Sequence, residues 1–285
     1  ENRRPCLQYL YAAGGMKRQI KNLLVNLCRR VGETSPIMIN WKDVGDLSDA
    51  AALFATMRPS KYLIPQETSI PENKRVLVLA PHPDDEIIGP GGTLIQMIEK
   101  GCTVKAIIFS RDNVPGLREE IQAVANLMGF DVEELGFPIM GIPKGGPSLD
   151  IVRQKIDSFA PDHIFLPFML DDHPEHRLLS DILLQLYGPA PKESFEIWAY
   201  QVYTALPLNA VVNIKTSIRK KLEALKLYKS RFATRDWAHY TQGLNALNIR
   251  FLKKSREDDY AEVFLRVPFR HYMTLCAHYF SRQKS

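Results

Sequence analysis

The sequence predicts a parallel α/β protein, and three observations carry that reading. Apolar β-type runs alternate with helical patterns from residue 75 onward. Two acidic, histidine-bearing turns, Pro81-His82-Pro83-Asp84-Asp85-Glu86 and Asp171-Asp172-His173-Pro174-Glu175-His176, each follow such a run. A glycine cluster, Gly89, Gly91 and Gly92, stands where the first run passes toward a helix. In order, the pattern predicts a strand over 75–80, a helix near 91–99, a strand over 103–109, a helix near 117–128 and a strand over 133–137. It continues with a helix near 148–157, a strand over 163–167, a helix near 176–186 and a strand around Phe195–Tyr200. Strands covered on both faces read as continuous apolar runs, and Val104-Lys105-Ala106-Ile107-Ile108-Phe109 mostly does so. Further on, Ile218, Leu222, Leu225 and Tyr228 mark a helix. Its Arg219, Lys220, Lys221, Lys226 and Lys229 read as a solvated face. The region is less regular from there to the end.

Composition sets the outer bounds. With 285 residues and 45% hydrophobic content the chain can bury a full core. Its four cysteines, Cys6, Cys28, Cys102 and Cys276, form no metal knuckle or disulfide framework, which fits a reducing compartment. No run reaches the length of a membrane span and no apolar leader stands at the start, so a soluble cytoplasmic protein is expected. The net charge of +5 is concentrated in residues 1–30, which carry +6 and leave −1 for the rest. There Ile20, Leu23, Leu24 and Leu27 recur at helical spacing among Lys17, Arg18, Lys21, Arg29 and Arg30, a basic amphipathic helix near 16–31. It reads first as a helix docked on the catalytic domain and second as a peripheral contact with an anionic membrane. Met16 reads as a natural start, with residues 1–15 as added sequence. Pro59, Pro65 and Pro71 mark a connector, so residues 1–74 form an extension and residues 75–285 the catalytic domain. No nucleic-acid module accompanies the basic stripe, no nucleic-acid partner is expected, and a homo-oligomer is left open.

The two turns carry the chemistry. In open α/β sheets the ligand site lies beyond the carboxyl ends of the strands, where both turns emerge. A catalytic zinc takes three protein ligands and keeps a fourth position for water. His82, Asp85 and His176 suit that role, with Pro83 favouring a bend at a helix start. Asp84 then remains as general base, and His173, if protonated, stabilises the oxyanion or acts as the acid. Asp171 or Glu175 would hold the other nitrogen of His173. The plainer reading of the first turn is a capped helix start, with Asp84 or Asp85 bonding free backbone N–H groups. For the second turn it is a polar surface loop. The pairing of both turns beyond strands favours the metal. The glycine cluster does not make a dinucleotide fingerprint, because Leu94 stands where the third glycine belongs, and no P-loop or HExxH sequence is present.

Pro81-His82-Pro83-Asp84-Asp85-Glu86, then Gly91-Gly92-Thr93-Leu94, then His173-Pro174-Glu175-His176 resemble the LmbE-like, or PIG-L, N-acetylglucosaminyl deacetylase family. The resemblance extends through Arg118-Glu119-Glu120, Lys221, Ser230-Arg231 and Tyr260-Ala261-Glu262-Val263-Phe264, covering roughly residues 75–265. It implies a Rossmann-like, mostly parallel sheet with helices on both faces. It also implies one Zn2+ per chain, or another divalent metal, on His82, Asp85 and His176, with Asp84 as base and His173 as charged assistant. Arg118 is implied as a substrate contact. Family members remove acetyl from N-acetylglucosamine in glycolipids, thiol precursors, antibiotics or chitin-derived sugars, so the expected substrate is a small molecule or glycan bearing an N-acetyl amino sugar. Four departures bear on the substrate: Met140-Gly141 replaces an Asp-Gly pair, Asp171 replaces a tyrosine, Glu175 replaces an aspartate, and Ser110-Arg111-Asp112 replaces a Thr-x-Gly turn. Two rival functions are an inactive glycan-binding scaffold and a metal-dependent hydrolase of another acyl, ester or phosphate substrate.

Overall fold

A computed structural model of the chain describes residues 65–111, 113–230 and 235–281. The basic segment near 16–31 and the rest of the extension up to residue 64 lie outside the described residues. Eight strands form one sheet: β1 (Gln66–Glu67), β2 (Arg75–Ala80), β3 (Thr103–Ser110), β4 (Asp131–Phe137), β5 (His163–Pro167), β6 (Glu196–Tyr200), β7 (Ala210–Asn213) and β8 (Ala261–Pro268). Their spatial order is β1-β7-β8-β6-β5-β2-β3-β4. All neighbours run parallel except β8, which is antiparallel to both β6 and β7. The helices are α1 (Asp85–Ile88), α2 (Gly91–Glu99), α3 (Leu117–Met128), α4 (Asp150–Phe159), α5 (Pro174–Tyr187), α6 (Ile218–Leu227), α7 (Trp237–Asn248) and α8 (Phe269–Ser281).

β2 is continuously apolar because it lies inside the sheet and is covered on both faces. Val76, Val78 and Ala80 point to one side, into a core shared with Leu94 of α2, Val124 of α3 and Ala224 of α6. Leu77 and Leu79 point to the other and are equally buried, on the side where α4 and α5 bury Val152, Ile156, Leu179 and Leu183. The chain runs from β2 outward to β3 and β4, then returns to place β5 on the opposite side of β2. Strand order therefore reverses at β2, and the crevice between the carboxyl ends of β2 and β5 is a topological switch point. Both His-containing turns leave from those two ends.

The sheet begins ahead of Arg75, since Gln66 and Glu67 of the proline-marked connector pair with Ala210 and Val211 of β7. α4 starts after a 3₁₀ turn over Pro147–Leu149, two residues later than its apolar pattern indicates. The region that reads as irregular supplies β7, α7 and β8. One charge departs from its sequence reading: Lys221 is fully buried, not on a solvated face. The glycine cluster serves close packing: a Cβ on Gly89 would sit 2.2 Å from Cδ2 of the buried Tyr200, and one on Gly92 would sit 2.8 Å from Cδ1 of Ile214. Among the described residues no helix is long and apolar enough to cross a membrane.

Candidate metal centre

The turn after β2 folds by bonding to itself. Asp84 occupies the N-cap of α1 with a left-handed backbone, φ 108°, and its carboxylate makes no capping hydrogen bond to the helix. The conformation is fixed by three bonds: the Asp84 N–H donates to Glu86 Oε2 at 3.0 Å, and its carbonyl accepts from the N–H groups of Ile87 and Ile88. Asp85 Oδ2 accepts from the His82 N–H at 3.0 Å. After β5, His173 caps α5, Pro174 fills the first helical position, and His176 lies one turn in, fully buried.

β2 and β5 are adjacent, so the two turns meet. His82 Nδ1 lies 3.1 Å from Asp85 Oδ2, His176 Nε2 lies 3.2 Å from the same oxygen, and the two ring nitrogens are 3.3 Å apart. Ligand atoms at the zinc–nitrogen and zinc–oxygen distances of a tetrahedral site stand about 3.3 Å apart. The three donor atoms form a nearly equilateral triangle of that size. Within it one carboxylate oxygen faces two imidazole nitrogens that also face each other, an arrangement that one bound cation satisfies and pairwise hydrogen bonds do not. The remaining ring nitrogens are held from outside. His82 Nε2 is 2.8 Å from Glu175 Oε2, and His176 Nδ1 is 3.0 Å from Asp171 Oδ1, a charged contact that is off the line of a good hydrogen bond. These carboxylates are anchored in turn: Glu175 Oε1 accepts from the Ile142 N–H, while Asp171 accepts from the N–H groups of His173 and Tyr203. The two carboxylates thus hold His82 and His176, not His173 as the sequence suggests. Such outer partners fix the tautomer of a metal-binding histidine.

His173 also brings a ring nitrogen within 4.8 Å of His82 and His176. Its Nδ1 accepts the Glu175 N–H at 3.3 Å, which leaves the proton of the neutral ring on Nε2. Burial, with His82 and His176 alongside, pushes its pKa down to about 4, which favours the neutral imidazole over the charged form. Burial opposes charge on His176 as well, but Asp85 and Asp171 outweigh it and push the pKa up to about 10. Burial likewise works against ionisation of Asp85, yet His176 and His82 hold its carboxyl well below the usual carboxylate range. A proton shared within this group is what a divalent cation would displace. Arg118 opens α3 on the same edge of the sheet; it is 70% exposed and pairs with Glu134 of β4.

Two residues of the site have no sequence motif to mark them. Tyr203, just past β6, lies nearly parallel to the His176 ring with centroids 5.4 Å apart. The Tyr228 hydroxyl donates a 2.5 Å hydrogen bond to Glu86 Oε1, and the other oxygen of that carboxylate accepts the Asp84 N–H. Burial pushes the Glu86 carboxyl up to about 8, against the pull of the Tyr228 hydroxyl and with repulsion from Asp84. The folded protein therefore holds a proton there that the unfolded chain releases near 4.5. Its stabilising contribution is full below that value and is lost as pH rises through about 8, with a slope of about 1.4 kcal/mol per pH unit. A glutamine can accept the Asp84 N–H and donate to Tyr228 at every pH. Glu86→Gln should therefore gain on the wild type in urea midpoint as pH rises from about 5 to 8, and parallel pH profiles would refute the buried proton.

Residues 77–187 match the family model described as PIG-L, GlcNAc-PI de-N-acetylase. They are a PIG-L domain. Outside that domain the likeness continues: a diacetylchitobiose deacetylase of Thermococcus kodakarensis is 24% identical over 235 residues, covering 70% of this chain and 88% of the relative. A probable N-acetyl-alpha-D-glucosaminyl L-malate deacetylase 2 of Bacillus cereus is 26% identical over 149 residues, covering 42% of this chain and 64% of the relative. Among solved structures, the conserved protein TT1542 from Thermus thermophilus matches with a TM-score of 0.59 at 25% identity, over 67% of this chain and 94% of its own. All four pieces of the centre, His82, Asp85, His173 and His176, lie inside the PIG-L domain.

Proposed function

We propose that the PIG-L domain hydrolyses the N-acetyl group of an amino sugar, using one divalent metal, zinc by preference, held by His82 Nδ1, Asp85 Oδ2 and His176 Nε2. The observation that carries this reading is the triangle of donor atoms, with edges of 3.1, 3.2 and 3.3 Å, set at the switch point of the sheet. The match to a de-N-acetylase family and the two deacetylase relatives supply the reaction class; the fold alone would not. Zinc held by these residues would supply Lewis-acid chemistry, activating a water and polarising the acyl oxygen. The protein's own groups do the rest. Asp84 takes a proton from the attacking water and delivers it to the leaving nitrogen, so that a C–O bond forms, the C–N bond breaks, and acetate and a free amino sugar result. His173, neutral with its proton on Nε2, donates a hydrogen bond to the acyl oxygen as negative charge develops there. Glu175 and Asp171 keep His82 and His176 aimed. A phosphate substrate would favour two metals, and the described donors make one site.

The test is acetate release from a panel of N-acetylated amino sugars by the protein loaded with one equivalent of zinc, beside the chelated protein and Asp85→Ala. Release that is lost on chelation and in the variant, with zinc content falling in both, supports the reading. Release that survives full chelation would overturn the metal, and zinc bound without release from any sugar would overturn the substrate class.

A further inference from the structure

Helix α7 buries polar side chains and leaves apolar ones at the surface. Its buried residues are Ala238, Thr241, Asn245 and Asn248. Hydrogen bonds hold that face in place: Asn245 accepts from Lys221 Nζ at 3.0 Å and donates to the Ala261 carbonyl at 3.1 Å. The apolar residues run along the neighbouring flank. Trp237, Tyr240, Leu244 and Leu247 recur at helical spacing, and Phe251 follows in the 3₁₀ turn Ile249–Phe251. Trp237, Leu244 and Phe251 are partly covered, whereas Tyr240 and Leu247, two turns apart, are 52% and 58% exposed. Single exposed apolar residues are ordinary on a protein surface, but a row of them beside a polar buried face is not.

The charge around this flank has one sign. From Trp237 to Arg256 the chain carries Arg250, Lys253, Lys254 and Arg256 and no aspartate or glutamate, and all four cations are exposed. The Arg250 guanidinium lies over the Phe251 ring, 4.4 Å from its centroid, so a cation marks the end of the apolar row. Arg250, Lys253 and Lys254 form no ion pair among the described residues. A second copy of the chain docked on the flank would add like charge to like charge. An anionic bilayer meets both features: the leucine and the rings enter the boundary between headgroups and acyl chains, and the Lys and Arg stems lie along it with their charged ends at the phosphates.

We infer that the α7 flank, Tyr240, Leu247 and Phe251 with Arg250, Lys253 and Lys254, is a docking surface for an anionic lipid bilayer. It acts independently of the reaction at the metal centre and requires no lipid in the substrate. The test sediments the full chain with vesicles of phosphatidylcholine alone or mixed with phosphatidylglycerol. The wild type should bind the mixed vesicles and not the neutral ones, and salt should weaken the binding. Lys253→Glu with Lys254→Glu, and separately Leu247→Asp, should each lower the partition coefficient by about tenfold or more. Their melting temperatures should hold, because all three side chains are exposed. In Leu247→Trp, brominated lipid should quench fluorescence beyond its effect on the wild type. Absence of binding to the mixed vesicles would overturn the surface. Binding that both variants keep would overturn it too, and loss of that binding on replacing Lys17, Arg18 and Lys21 with glutamate would assign it to the basic segment instead. Without vesicle binding, self-association abolished by Leu247→Asp would give the flank to a second copy, and capture of polyglutamate would give it to an acidic polypeptide; either result removes the bilayer.

Discussion

Asp84→Asn is expected to lower acetate release by about 10²–10⁴-fold, the range for loss of a positioned general base, while zinc content and melting temperature hold. Asparagine keeps the volume of the side chain and is among the few residues that accept a left-handed backbone, and φ at this position is 108°. The backbone cannot relax out of that conformation, because its N–H is committed to Glu86 and its carbonyl to Ile87 and Ile88. Strain maintained at a buried carboxylate beside three converging donor atoms is the pattern of a residue kept for its chemistry. Asp84→Gly separates the two effects. Glycine removes a steric cost of about 1–2 kcal/mol, so this variant should melt no lower than the wild type and still be inactive. Retention of more than a tenth of the activity in Asp84→Asn would move the base elsewhere, with His173 the nearest alternative. Loss of zinc in both variants would make Asp84 a ligand.

The centre is legible where neighbours in sequence are also neighbours in space. His82 and Asp85 sit three residues apart in one turn, His173 and His176 in another, and each turn follows a strand whose unbroken apolar run announces burial on both faces. The pairing of β2 with β5 then brings the turns together, a step that alternating strands and helices predict only in outline. The partners of the imidazoles are harder to assign from sequence. His173 sits at a helix N-cap, which turns its Nδ1 toward the Glu175 backbone and frees both carboxylates for His82 and His176. The downward pressure on its pKa has a related origin: two other imidazoles lie within reach, and their effect is visible only in three dimensions. Tyr203 is invisible because a lone tyrosine after a strand has no spacing to read. β7 has four residues and β8 answers to no parallel rhythm, so neither stands out by pattern.

Lys221 shows most clearly where helical periodicity misleads. It lies among Arg219, Lys220, Lys226 and Lys229, yet it is fully buried, and its three N–H bonds reach Glu262 Oε1 at 2.6 Å, the Ile88 carbonyl at 2.9 Å and Asn245 Oδ1 at 3.0 Å. Glu262 accepts in addition from the N–H groups of Gly92 and Thr93 at 2.7 and 2.8 Å, occupying the N-terminus of α2. One ion pair thus ties the end of α1 to the start of α2, the segment directly behind His82, Asp84 and Asp85. A buried pair offers little over an apolar replacement of both partners, but removal of one leaves a bare charge in the core. Lys221→Met should therefore cost about 3–5 kcal/mol, read as a lower urea midpoint at unchanged m-value. Lys221→Met with Glu262→Gln should recover a large part, because the amide can still accept from α2 without an uncompensated charge. If the folded single variant also binds zinc more weakly than the double variant, the pair positions the metal turn as well as stabilising the core. A cost under 1 kcal/mol, or a double variant no more stable than the single, would show that the Glu262 charge is met by the α2 N-terminus alone and that Lys221 is dispensable to it.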